Sequence, residues 1–103
     1  MQDWLRDFRK TVESSYDRLR VIDEAQAAKP RAEDHWSSKQ ILGHLIDSAT
    51  NNHARFVLGQ LKDDLVFPGY DQDGWVRTNH YQDASWEQLV EFWRAYNLHL
   101  HHL

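Results

Sequence analysis

Apolar residues recur every three or four positions over three long stretches of the sequence, a periodicity typical of amphipathic α-helices. The clearest stretch forms one seam that runs to the end of the chain: Trp86, Leu89, Trp93, Tyr96, Leu100 and Leu103. Only four Gly and two Pro interrupt the 103 residues. We therefore predict an all-α, up-and-down helical bundle of one domain, 1–103, with helices at about 2–28, 38–61 and 86–103 and a long crossover at 62–85.

Two capping boxes mark the starts of the second and third predicted helices. Ser37 lies three residues before Gln40, and Ser85 lies three residues before Gln88. In this pattern the serine side chain accepts from the N3 backbone N–H, and the N3 side chain accepts from the serine backbone. The crossover between these helices is rich in turn formers and aromatic residues, and we expect a short helical turn within it at about 71–78.

Charge and composition exclude several classes of function. The formal net charge is −4 with His neutral, which argues against nucleic-acid binding because that needs a basic face. No apolar run approaches the roughly 18 residues of a membrane span, and no signal-peptide core follows the charged N-terminus, so we expect a cytoplasmic protein. The chain has no Cys, which excludes disulfides and zinc–thiolate sites, whereas its seven His are available as metal ligands.

A polar stripe runs along the second predicted helix. His44, Asp47, Asn51 and Arg55 follow one another at spacings of three and four, so they share one side of the helix, beside its apolar face. Such a stripe can be a solvated surface or the wall of a binding site. In a site, His44 could bind a metal through one ring nitrogen, while Asp47 or Asn51 orients it or contacts a substrate.

The remaining histidines give weaker metal signals. His53 lies on the apolar side of the second helix, opposite His44. A single His on an apolar face is more often a hydrogen-bonded core or interface residue than a metal ligand. His99 and His102 are three residues apart on the third helix, which makes His99 a weaker second metal candidate. No two histidines have the four-residue spacing of the common helical metal motif. A complete metal site within this chain is therefore not expected, since catalytic zinc usually has three protein ligands.

The segments "WSSKQILGHLIDSATNNHARF", "FPGYDQDGWV" and "YQDASWEQLVEFWRAYNLHLHHL" together resemble the DinB-like superfamily. Its members are four-helix bundles often described as metal-dependent enzymes. The resemblance implies that His44 is one of three His ligands to a divalent ion such as zinc or nickel. The other two would lie on a fourth helix, and this sequence stops within the third, so we expect a C-terminally truncated domain.

The resemblance implies a hydrolase or a thiol-dependent transferase that acts on a small molecule. Its pocket would be formed by Asp47, Asn51 and Arg55 with the crossover aromatics Tyr70 and Trp75. The alternative is a non-catalytic module for helical assembly or small-ligand binding, in which activity has been lost. In either case the open apolar seam of the third helix favours a homodimer that completes the bundle, because a two-fold axis brings identical patches together.

Overall fold

The computed structural model describes residues 2–30, 32–61 and 69–102, with the side chains of 6–30, 32–61 and 69–101. The predicted all-α bundle is confirmed. Over the described residues the helices are α1 (Gln2–Leu19), α2 (Glu24–Ala28), α3 (Ser38–Leu61), α4 (Gln72–Thr78) and α5 (Trp86–His102), with a 3₁₀ turn at Tyr81–Asp83. In these ranges, no helix combines the length and the apolar character that crossing a bilayer requires.

The predicted first helix, 2–28, is wrong in its extent. The structure divides this interval into α1 and α2, with a break before Asp23. Asp23 caps α2, because its Oδ1 accepts from the Gln26 backbone N–H at 2.7 Å and the Gln26 side chain accepts from the Asp23 backbone. This local capping box starts a new helix although the apolar periodicity continues through the break.

The other predicted helices are present at their predicted positions, as α3 and α5. Leu103, at the end of the predicted third helix, and residues 62–68 of the crossover lie outside the described ranges. The capping box of α3 is confirmed, since the Ser37 backbone N–H donates to Gln40 Oε1 at 3.0 Å and the Gln40 N–H donates to Ser37 Oγ at 3.3 Å. At α5, the Gln88 N–H donates to Ser85 Oγ at 3.3 Å. The expected helical turn in the crossover is α4.

Helix α5 packs against both α1 and α3 and carries much of the core. The buried cluster combines residues of α2, α3 and α5: Ala27, Leu42, Ile46, Trp86, Leu89 and Val90. Around it, the indole N–H of Trp86 donates to the Leu19 carbonyl at 2.9 Å, and Arg94 pairs with Glu13 at 2.8 Å. The core holds the face of α3 that carries Leu42 and Ile46, and this packing sets the rotation of α3 and the position of its polar stripe.

Apolar surface remains exposed on two parts of α3. An interhelical groove of about 340 Å³ lies between α1, α3 and α5 and is lined by residues that include Leu19, Ile41, Leu45, Trp86 and Trp93. Further along the helix, the last two turns expose large side chains: Phe56, Val57, Leu58 and Leu61. Large exposed apolar patches often mark interaction surfaces.

Candidate functional site

Asp47 is the most deeply buried charged side chain of the described residues, with 2% of its surface exposed. It lies on α3, facing the segment that connects α4 to α5. The Tyr81 hydroxyl donates to Asp47 Oδ1 at 2.6 Å, and the Asn79 amide donates to the same oxygen at 3.0 Å. Asp47 Oδ2 is also buried, and no hydrogen-bond partner for it is found among the described residues. One carboxylate oxygen is thus held in place, while the other is available.

Tyr81 reaches Asp47 because Gly43 has no side chain. A Cβ at Gly43 would lie 2.1 Å from Tyr81 Cδ2, far inside van der Waals contact. The tyrosine ring therefore lies directly on the backbone of α3, one turn before Asp47. Sequence reasoning missed both Tyr81 and Asn79 as partners of Asp47. A glycine in the interior of a helix was the one available signal, since it often marks a close approach by another group.

His44 lies one turn before Asp47 on α3, and one of its ring nitrogens is the second buried polar atom of this region without a hydrogen bond among the described residues. Its Nδ1 is buried, and within the described ranges it has no hydrogen-bond partner. The ring packs on Trp36, with the centroids 5.3 Å apart and the planes at 45°. A buried polar atom without a partner typically costs about 1–3 kcal/mol of stability. Such atoms in native proteins often indicate a bound ion, a water or a ligand.

The surroundings of Asp47 favour its protonated form. Burial raises the pKa of Asp47 above its ordinary value, and the hydrogen bond from Tyr81, the nearby His44 and the hydrogen bond from Asn79 offset only part of this increase. Burial, reinforced by the hydrogen bond to Asp47, also raises the pKa of the Tyr81 hydroxyl. Tyr81 therefore remains a hydrogen-bond donor, and Asp47 can exchange a proton closer to neutral pH than an exposed aspartate can.

Two of the other predicted site residues, Asn51 and Tyr70, make hydrogen bonds on α3 at or next to Asp47. The Asn51 amide donates to the Asp47 backbone carbonyl at 2.8 Å, so it supports α3 itself. The Tyr70 hydroxyl lies 2.9 Å from Ser48 Oγ, and the Tyr70 and Trp75 rings meet edge to face at 5.5 Å. Arg55 is half-buried two turns beyond Asp47. The roles of these residues in a pocket stay predictions.

A cavity of about 390 Å³ borders two residues that contact His44 and Asp47. It is lined by Trp36, which packs on His44, and by Tyr81, which binds Asp47. The remaining lining includes Gln40, Val76 and His80. Its volume is within the range of about 300–1,000 Å³ that is common for small-molecule sites. The network is therefore next to a space that a small ligand can occupy.

His99, the weaker metal candidate, lies beside another histidine. Its ring is 5.9 Å from that of His53, and His53 Nδ1 lies 2.8 Å from the Tyr96 hydroxyl. This hydrogen bond agrees with the prediction that His53 is a hydrogen-bonded core or interface residue. In the part of the chain that the structure describes, no group of three or more His, Cys, Asp or Glu side chains is placed to hold a metal ion.

These features describe an all-α protein in which one helix carries a buried carboxylate and, one turn earlier, an imidazole whose Nδ1 has no hydrogen-bond partner among the described residues. The chain belongs to the DinB superfamily, whose family model matches residues 7–103. It is also similar to the protein named "Putative metal-dependent hydrolase BH0277" of Halalkalibacterium halodurans, with 28% identity over 83 residues. That match covers 80% of this chain and 48% of the relative, so the chain spans about half the relative's length. No solved structure matches the chain.

Proposed function

We propose that this chain contributes His44 and Asp47 to the metal centre of an enzyme that acts on a small molecule, as a hydrolase or a thiol-dependent transferase. The observation that carries the proposal is a pair of buried atoms, His44 Nδ1 and Asp47 Oδ2, on residues one turn apart on α3; among the described residues neither atom has a hydrogen-bond partner. Membership of the DinB superfamily and similarity to a protein named as a metal-dependent hydrolase support it.

The two atoms fit a divalent ion by their chemistry. Imidazole nitrogen and carboxylate oxygen are both ordinary zinc ligands, and imidazole also suits nickel. A catalytic zinc usually has three protein ligands, so a further donor would come from outside the described residues, in the same polypeptide or in a second copy. When bound, the ion would polarise a substrate oxygen or lower the pKa of a water.

The other residues of the network would position the two donors. Tyr81 and Asn79 hold Asp47 Oδ1, which leaves Oδ2 to contact the ion or to hold a proton. Trp36 packs on the His44 ring and restricts its rotation. Partners of this kind commonly change metal affinity about 10–100-fold when they are removed. The neighbouring cavity would receive the substrate.

Titration of the purified protein with Zn²⁺ and with Ni²⁺ tests this proposal. We expect His44→Leu to weaken binding at this site about tenfold or more, and Asp47→Asn to weaken it less, because the amide keeps a neutral oxygen donor. The control is His80→Asn, since His80 is exposed and has a positive φ of 55° that Asn tolerates. Equal affinities of the parent and His44→Leu would contradict the proposal.

A second candidate function is assembly, which the interhelical groove favours. We propose that a helix of a second copy of this chain covers the groove, where Ile41 is 40% and Leu45 is 47% exposed. Light scattering coupled to size-exclusion chromatography should then show a dimer at micromolar concentration. Leu45→Glu should dissociate it, whereas the matched Val21→Glu, at a 77% exposed position away from the groove lining, should not. A monomeric parent would contradict this assembly.

A further inference from the structure

A pair of histidines bridges α3 and α5 away from the site described above. The rings of His53 and His99 have their centroids 5.9 Å apart and their planes at 73°. His53 is nine residues beyond His44, which is about 13.5 Å along the helix axis and about half a turn round it. The pair is therefore separate from the His44–Asp47 site and on another side of α3.

The Tyr96 hydroxyl is placed to orient the His53 ring. It lies 2.8 Å from His53 Nδ1, so when Nδ1–H donates to this oxygen, the lone pair of the ring is at Nε2. Metal-binding histidines commonly have such a partner on the other ring nitrogen, which fixes both the tautomer and the orientation of the ring. Tyr96 is one turn before His99 on α5, and the same helix thus presents the orienting hydroxyl and the second imidazole.

The spacing of the rings and the space beside them suit one shared ion. With metal–nitrogen bonds of about 2.0–2.1 Å, two imidazoles on one ion have their centroids at most roughly 6.5 Å apart. The observed 5.9 Å is within this limit. A cavity of about 270 Å³, lined by Asn52, His53, Phe56 and Leu100, opens beside His53 and gives room for water ligands. His99 is exposed, so an ion can reach it from solvent.

We propose that the juxtaposed imidazoles of His53 and His99 form a second metal site, which binds a divalent first-row transition ion together with water and links α3 to α5. Imidazole ligands suit Cu²⁺, Ni²⁺ and Zn²⁺, and Cu²⁺ binds most tightly of these. Such an ion stabilises the pairing of the two helices, because it binds the folded protein and not the separated side chains.

The test uses Cu²⁺ alone as the probe, in the His44→Leu variant, so that the first site does not contribute. We expect one Cu²⁺ per chain, two nitrogen donors in its electron paramagnetic resonance spectrum and a higher melting temperature. His99→Ala should weaken this binding about tenfold or more without disturbing the fold, since its side chain is exposed. Tyr96→Phe should also weaken it but keep two nitrogen donors, as a positioning residue should. His80→Asn is the matched control, since His80 is not part of this pair, and it should leave Cu²⁺ binding at the pair unchanged.

Three results would overturn the second site: unchanged Cu²⁺ affinity when His99→Ala is added to His44→Leu, a single nitrogen donor in the spectrum of His44→Leu itself, or an equal loss of affinity when His80→Asn is added. His53→Ala provides an independent check of the same kind. The outcome is distinguishable from that of the proposed enzyme site, because loss of binding in His99→Ala reports on this pair alone. Loss in His44→Leu relative to the parent reports on the first site.

Discussion

The two halves of α3 differ in the hydrogen bonding of their histidines. In the N-terminal half, His44 Nδ1 and Asp47 Oδ2 are buried, and among the described residues neither has a hydrogen-bond partner. In the C-terminal half, His53 bonds to Tyr96, and the neighbouring Phe56 is 50% exposed. Unpaired buried atoms weaken a fold, whereas the paired histidine strengthens it. The two halves thus differ in how the histidine is held: His53 has a hydrogen-bond partner on α5, whereas His44 Nδ1 has none within the described ranges.

The largest effect should follow from removing the carboxylate of the N-terminal half. Asp47→Ala leaves the Tyr81 hydroxyl and the Asn79 amide without their acceptor, and we expect a loss of about 3 kcal/mol in the free energy of unfolding. Urea denaturation measures it. The control is Asp83→Ala at an exposed position, which should change stability by less than about 0.5 kcal/mol. Equal losses in both variants would show that the network does not support the fold.

The two glycines of α3, one in each half, should respond to substitution by alanine with stability changes of opposite sign. Gly43→Ala places a Cβ against the Tyr81 ring and should cost about 2 kcal/mol, because neither the ring nor the helix backbone can move freely. A Cβ at Gly59 meets no atom of the described residues within 4 Å, so Gly59→Ala should raise stability by up to about 1 kcal/mol through better helix propensity. Thermal and urea unfolding of the two variants provide the comparison. Similar changes in both would remove the distinction between the halves.

Replacing each histidine with leucine tests the contrast itself. His53→Leu removes the hydrogen bond to Tyr96 and should lower the free energy of unfolding by about 1 kcal/mol. His44→Leu removes a buried nitrogen that has no hydrogen-bond partner in the described part of the chain, and it should leave the stability of the metal-free protein unchanged or increased. Both are measured in the presence of a chelator. A greater loss in His44→Leu than in His53→Leu would mean that the His44 ring contributes mainly to packing.

The smallest effect should be a pH dependence centred on Asp47. Burial raises the pKa of this carboxyl above its ordinary value of 3.8, so its protonated form is favoured in the folded protein. The contribution of protonated Asp47 to the free energy of unfolding is therefore fully present below about pH 3.8, and it is lost as the pH rises through the raised pKa of the folded protein. Unfolding curves of the parent and of Asp47→Asn over this range should show the parent losing stability relative to the variant. Parallel curves would show that the pKa is not raised.

The helices were largely predictable because their signals are local. The Ser37–Gln40 capping box and the apolar seam of α5 each depend on residues only three or four positions apart. The structure has the capping hydrogen bond and the helix that they predict. The break before Asp23 was missed because the apolar spacing passes through it unchanged. There the capping box of Asp23 and Gln26 determines the structure, which shows that capping chemistry can prevail over periodicity.

The candidate site was predictable only in part. The stripe that contains His44 and Asp47 follows from helical spacing, but Tyr81 and Asn79 lie 34 and 32 residues from Asp47 and have no periodic relation to it. The contact of His53 with Tyr96 spans 43 residues in the same way. Such pairings arise from the packing of helices and from the turn after α4, and neither is visible in a single sequence.

The proposed metal centre is tested most directly by nitrogen NMR of the histidine rings during a Zn²⁺ titration, with the ring resonances assigned from single-histidine variants. We predict that the resonance of His44 Nδ1 shifts as Zn²⁺ is added, and that Asp47→Asn requires more Zn²⁺ for the same shift. The signal of His80 should not change over this range. A His44 resonance that stays unchanged while other histidines saturate would contradict the proposal that this imidazole binds the metal.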